Sequence, residues 1–178
     1  ARDLTEETFE MIVESLQEII DSVQPAQASY TLETMPWMYP DSPESYARLI
    51  DAIDRDHFGV HLDPVNIVCS PQLYFDTTTL LENCFEQLGP SMKSCHAKDI
   101  QLAQQLTVHL DEVRPGEGNL DYRAYLGGLD ALEDDVPLLI EHLSNEEEYD
   151  KAAEYIRAVA DEIGVAEHEQ LVALPHVV

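Results

Sequence analysis

At 178 residues the chain is long enough for one domain with a sizeable core and short for two. Hydrophobic residues make up 44% of it, which excludes a disordered acidic tail, and no apolar run approaches the ~18 residues of a membrane span. Only nine Lys plus Arg stand against 36 Asp plus Glu, a formal net charge of -27, so the surface repels nucleic-acid backbones and anionic lipid alike.

The carboxylates are spread through every segment rather than gathered in a tail, the pattern expected of a salt-adapted protein. In concentrated salt the Debye length falls to about 3 Å and such self-repulsion is screened. Cys69, Cys84 and Cys95 make an odd count without CxxC spacing, which points to neither a disulfide framework nor a thiolate zinc site, and to a reducing cytoplasm. Residues 1–7 carry no basic n-region and no apolar h-region, so no secretory signal is read there.

Phe9, Ile12, Val13, Leu16, Ile19, Ile20 and Val23 recur at helical spacing, predicting a helix from residue 3 to 23 with Asp3 and Glu6 as a capping box and Pro25 as its stop. A short extended run over 28–33 follows. Ser42 and Pro43 then supply an N-cap and a first-turn proline for a helix that carries Tyr46, Leu49, Ile50 and Ile53. Residues 58–63 predict a second strand, and 77–88 a helix stopped by Gly89 and Pro90. A third strand is expected over 91–98, an excursion over 107–113, a loop over 114–119 and a helix over 122–132. The fourth strand is 136–141, and Asn145, with Glu148 three residues on, caps a last helix that ends at Gly164. Residues 165–178 read as a loosely packed tail behind a domain of residues 1–164.

Regular βα alternation implies a parallel sheet covered by helices, either doubly wound or part of a (β/α)8 TIM barrel. Neither GxGxxG nor GxxxxGK[ST] occurs, which favours the barrel. Each predicted strand ends in a group able to bind a metal: Glu33, Asp63, His96 and Glu141, at separations of 30, 33 and 45 residues. Alternation puts Glu33 on one face with Thr31 and Ser29, and Glu141 with Leu139, so the four face one place. Three carboxylates and one imidazole form a hard ligand set, better suited to one Mn²⁺ or Mg²⁺ than to structural zinc, with Zn²⁺ or Co²⁺ as further options.

Leu32-Glu33-Thr34-Met35-Pro36-Trp37, His61-Leu62-Asp63-Pro64-Val65-Asn66, Cys95-His96-Ala97-Lys98-Asp99, Gly116-Glu117-Gly118-Asn119 and Leu139-Ile140-Glu141-His142 together resemble the sugar phosphate isomerase/epimerase family of xylose isomerase-like TIM barrels. The resemblance implies Glu33, Asp63, His96 and Glu141 as ligands of one divalent metal. It implies Glu33 and Glu141 as the pair that moves a proton on a carbon beside the substrate carbonyl, through a metal-stabilised enediolate. Ketose epimerases of this type have a His where this chain has Asn66 and an acidic residue where it has Tyr39, which leaves the substrate and the reaction subtype open. A complete barrel takes about 250 residues. Four strands match the family's second half, so the expectation is a fragment of a longer barrel or a half-barrel that pairs with a second copy.

Around these residues, Lys98 either orients a substrate hydroxyl or phosphate or makes a structural ion pair. Asn66 either bonds substrate or caps a turn, and Arg114 either holds a sugar oxygen or phosphate or belongs to a plain glycine turn. Trp37, with Met35, offers an apolar wall under a sugar. His142 is read mainly as structural, with ligand contact as the alternative, and His61 as a core histidine bonded to its neighbours. Asp111 and Glu112 read as an acidic hairpin rather than as further metal ligands. The expected function is a metal-dependent isomerase or epimerase of a small sugar or sugar phosphate. The alternatives are a keto-inositol-type dehydratase and a non-catalytic half-barrel that binds metal or sugar.

Overall fold

The first apolar stripe forms its helix, with a different cap from the one expected. In the computed structural model, which describes residues 3–165, α1 spans Glu6–Val23 and buries Phe9, Leu16 and Ile20. Thr5 is the N-cap, its hydroxyl accepting the Thr8 N–H, while Asp3 lies outside the helix in a parallel bridge with Met38. Gln24 closes α1 in the left-handed region, and Pro25 has no N–H to continue it.

Strand β1 is Tyr30–Glu33, two residues shorter at its start than expected. The Ser42 cap is present and reciprocal with Ser45, opening α2 over Pro43–Ile53. Strand β2, Phe58–Leu62, stops one residue before Asp63, because Asp63 caps a short helix α3, Pro64–Ile67. That turn and α4, Pro71–Tyr74, were not expected; neither reaches the length at which periodicity is readable. Helix α5 is Thr77–Leu88, and β3 is Met92–Ala97.

The largest difference follows β3. After Lys98 the chain forms β4, Asp99–Leu102, which pairs antiparallel with β5, Leu110–Val113, so the expected excursion is one arm of a hairpin. Helix α6, Tyr122–Asp130, ends two residues early. Strand β6 is only Leu138–Ile140, and α7, Glu146–Ile163, has the expected Asn145 and Gly164 caps. Val165 packs on the core, and the predicted tail beyond it lies outside the described residues.

The four longer-range strands form one parallel sheet in the order β1-β2-β3-β6. A doubly wound sheet reverses its order at a switch point. An unreversed order with right-handed crossovers keeps the helices on one face, as in a barrel wall. Consistently, α1 packs on α2, α2 on α5, α5 on α6, and α6 on α7. The core lies between these helices and the sheet, where Val60, Leu62, Cys95 and Ala97 meet Leu49, Ile53, Leu81 and Ile156. The fold is thus a partial TIM barrel of four parallel strands. Among the described residues, β1 and β6 each have one free edge.

Three buried tyrosines tie the helical layer to the strands, since a phenol in a core needs a polar partner. The Tyr46 hydroxyl bonds backbone groups of Leu32, Gly59 and His61. Tyr125 donates to the His96 carbonyl at 2.9 Å, and Tyr122 to that of Lys98 at 2.8 Å.

Candidate metal centre

Each site side chain stands at the C-terminal end of a strand because the strand register aligns those ends. Glu33 is paired with His61, His61 with Ser94, and His96 with Leu139. The ends of β1 and β2 are further locked by Thr34, fully buried, whose hydroxyl accepts the Asp63 N–H at 3.0 Å and donates to the Asp63 carbonyl at 2.7 Å. Asp63 divides its two oxygens. Oδ1 caps α3, accepting from Val65 and Asn66 at 3.0 and 3.2 Å, and Oδ2 is turned to the cluster.

His96 Nδ1 is the meeting point, 3.3 Å from Glu33 Oε1, 3.3 Å from Asp63 Oδ2 and 3.0 Å from Glu141 Oε1. The ligand atoms of these four residues all lie within 4.8 Å of one another. Opposite ligands of a cation bound at about 2.1–2.4 Å stand about 4.2–4.8 Å apart, so the set is of a size to close on one ion. Glu141 Oε1 adds a second sign of fit. It is buried and near two cationic groups, yet neither approach has hydrogen-bond geometry, which leaves an orphaned acceptor aimed into the cluster.

Lys98 enters more deeply than its place after the strand indicates. It is 2% exposed, with Nζ 2.8 Å from Asp63 Oδ2, 2.6 Å from Glu141 Oε1, and 3.6 Å from Glu112 Oε2. Glu112 comes from β5, and its Oε1 is 3.1 Å from His142 Nδ1. Four carboxylates therefore surround two cationic groups, an excess of negative charge that suits a divalent cation.

The protonation of the residues reflects that balance. Burial works against a charged His96, but Asp63, Glu141 and Glu33 together hold its imidazole up at about 11. Burial likewise opposes the Glu141 charge, and His96 and Lys98 outweigh it, holding the carboxyl down at about 2. Asp63 is lowered in the same way, and Lys98 is raised by Asp63, Glu141 and Glu112 despite its burial.

Of the other residues read from the sequence, Asn66 donates to Glu33 Oε1 at 3.0 Å and His142 stands at the rim, 3.6 Å from Glu141 Oε1. Trp37 is 57% exposed just past β1. The Arg114 guanidinium is held by Glu148 at 3.0 Å and Glu117 at 2.7 Å. Glycine loop 114–120 wraps Asp99, whose buried carboxylate accepts the N–H groups of Ile100, Gly116, Gly118 and Leu120. Thr34 is a residue whose part the sequence did not reveal, because a hydroxyl next to a strand-end carboxylate carries no pattern of its own. His61, read as bonded to its neighbours, has Nε2 2.9 Å from His96 Nε2.

A family model described as a xylose isomerase-like TIM barrel matches residues 1–159. A magnesium complex of a xylose isomerase-like TIM barrel protein from Mycobacterium smegmatis is similar in fold, with TM-score 0.68 and 15% identity over 90% of this chain and 53% of that one. The probable 3-DHS dehydratase AsbF from Bacillus anthracis gives TM-score 0.67 and 18% identity over 89% and 59%. An L-ribulose 3-epimerase gives TM-score 0.57 and 16% identity over 91% and 53%. The chain thus spans about half the length of the solved structures it resembles. No curated protein sequence matches it.

Proposed function

The chain belongs to the xylose isomerase-like TIM-barrel family, and we propose that its strand-end cluster is the centre of a divalent-metal-dependent isomerase or epimerase of a sugar or sugar phosphate. The observation that carries this is the convergence of Glu33, Asp63, His96 and Glu141 within 4.8 Å at one end of a parallel sheet, with the orphaned Glu141 oxygen among them. These four would hold one Mn²⁺ or Mg²⁺. Bound there, the ion supplies Lewis-acid polarisation of a substrate carbonyl and its neighbouring hydroxyl.

The protein's own part is proton transfer and orientation. Glu33 and Glu141 come from the two outer strands, β1 and β6, and so approach the cluster from opposite sides. One Glu, ionised, takes the proton from the carbon beside the carbonyl, and the other, carrying a proton as the carboxylic acid, delivers it to that carbon or the next, so the pair exchanges protonation states in one turnover. Asn66 orients Glu33 through its amide N–H, and Lys98 holds Asp63 and Glu141 while presenting a cation to a substrate oxygen. Trp37 offers an apolar face to a sugar, and His142 a polar group at the rim. Arg114 serves here as the tie between the glycine loop and α7. The units that complete the barrel, in the same polypeptide or a second copy, supply the rest of the pocket wall.

Likeness to a probable dehydratase favours loss of water from a keto sugar or keto-inositol as the second reading. The test begins with elemental analysis of protein purified in high salt. About one Mn²⁺ per chain is expected, lost in Glu33→Gln and His96→Ala. A panel of ketoses in deuterated solvent should then show label in recovered substrate, abolished in Glu33→Gln and Glu141→Gln. Metal and sugar binding without exchange would assign a binding half-barrel, and water loss from a keto-inositol would assign the dehydratase.

A further inference from the structure

We propose that Ser94, His61 and His96 form a hydrogen-bonded relay that presents the lone pair of His96 Nδ1 to a metal ion, making His61 a positioning residue; the inference rests on the cluster being a metal centre. His61 is on the inner face of β2, in register with Ser94 of β3. Its Nδ1 is 2.5 Å from Ser94 Oγ and its Nε2 is 2.9 Å from His96 Nε2. The two imidazoles meet edge to face, centroids 4.1 Å apart at 85°. On its other side, His96 Nδ1 faces the three carboxylates.

A bond between two ring nitrogens needs one proton and one lone pair. Were His61 Nε2 the donor, a neutral His96 would carry its proton on Nδ1, in the place a cation must take. With His96 Nε2 as donor, His61 Nε2 accepts, and the His61 proton lies on Nδ1 and is donated to Ser94 Oγ. A serine hydroxyl accepts as readily as it donates, so this arrangement leaves no ring nitrogen unmatched. It is the one that frees His96 Nδ1 for a metal. Ligating histidines are ordinarily fixed by a partner on the second nitrogen, most often a carboxylate or a carbonyl. A carboxylate here would add charge to a cluster already holding Glu33, Asp63, Glu112 and Glu141, whereas a neutral imidazole orients His96 without doing so.

The competing arrangement is direct ligation by His61, since Glu33, His61 and His96 also form a group within ligand reach. Long-range proton–nitrogen NMR of the ¹⁵N-labelled chain separates the two, with Zn²⁺ as a diamagnetic probe. The expected result is a His61 proton on Nδ1 before and after Zn²⁺, and a metal-induced shift at His96 Nδ1 with Nε2 still protonated. In Mn²⁺ titrations His61→Phe should bind about 10- to 100-fold more weakly. His61→Gln, whose amide oxygen can accept from His96, should recover most of the affinity. A proton on His61 Nε2, a metal shift at a His61 nitrogen, or His61→Phe binding as tightly as the parent overturns the relay. A parent chain that binds neither ion overturns the metal centre instead. Should His61→Phe not fold, the parent spectra and His61→Gln decide.

Discussion

His96 is pulled two ways: burial disfavours its charge, and three carboxylate oxygens within 3.3 Å restore it. With Nδ1 among those oxygens, the metal-free imidazole keeps its proton up to about 11, against an ordinary value of 6.5. A metal at Nδ1 can bind only as that proton leaves. Affinity for Mn²⁺ should therefore rise with pH, by about tenfold per unit where one proton is released, across the interval from neutrality toward the raised value. Calorimetry at pH 7.5 in two buffers of different ionisation enthalpy reads the proton count directly. A count near one is expected, and a count of zero would mean that His96 is not a ligand. The residue types of the four site groups were legible because they recur at strand ends. The depth of Lys98 was not, because the sequence left it between a substrate contact and a structural ion pair, and its 2% exposure goes with four carboxylates, one of them Glu112 on the returning arm of the hairpin that starts at Asp99.

At the scale of elements, the hairpin that carries Glu112 is secured by Asp99. Its two oxygens accept four backbone N–H groups of 2.8–3.0 Å, from Ile100 and from the loop through Gly116, Gly118 and Leu120. Gly118 fits because a Cβ there would overlap the Asp99 carboxylate and the Ile100 carbonyl. Asp99→Asn keeps the shape but turns an amide N–H₂ toward two of those donors. A loss of about 2–4 kcal/mol is expected in urea unfolding. A loss below about 0.5 kcal/mol would show that the loop is held by other contacts. This hairpin was half legible: its second arm falls inside the excursion expected over 107–113, whereas β4 begins two residues after β3 ends, with no Gly or Pro between them to mark the change of partner. The βα units, by contrast, were legible from their stripes and caps, with Ser42 and Asn145 capping where expected and Thr5 displacing Asp3.

For the whole molecule, charge and open edges dominate. The surface carries a net charge of -27, and the ion pairs that relieve it, such as Arg55 with Asp21 and Lys151 with Glu147, are exposed and individually weak. Self-repulsion should therefore be the main term that salt alters. Thermal unfolding is expected to shift upward from 0.1 to 2 M KCl, by about 2–4 °C for each kcal/mol relieved. A midpoint that is unchanged or falls would oppose the salt-adapted reading. Four strands do not close a barrel, and among the described residues β1 and β6 each keep one free edge.

The sequence by itself determined the parallel βα order, the helix faces and the identity of the strand-end groups, because periodicity, caps and spacing are local properties. Tertiary structure alone decided which atoms meet. Thr34 locks Asp63, Asp63 divides its oxygens between a helix cap and the cluster, Lys98 lies under four carboxylates, and His61 meets His96 edge to face. The contacts of Thr34 with Asp63, of Lys98 with Asp63 and of His61 with His96 join residues 29 to 35 positions apart, which strand register brings within bonding distance, and the returning hairpin adds Glu112.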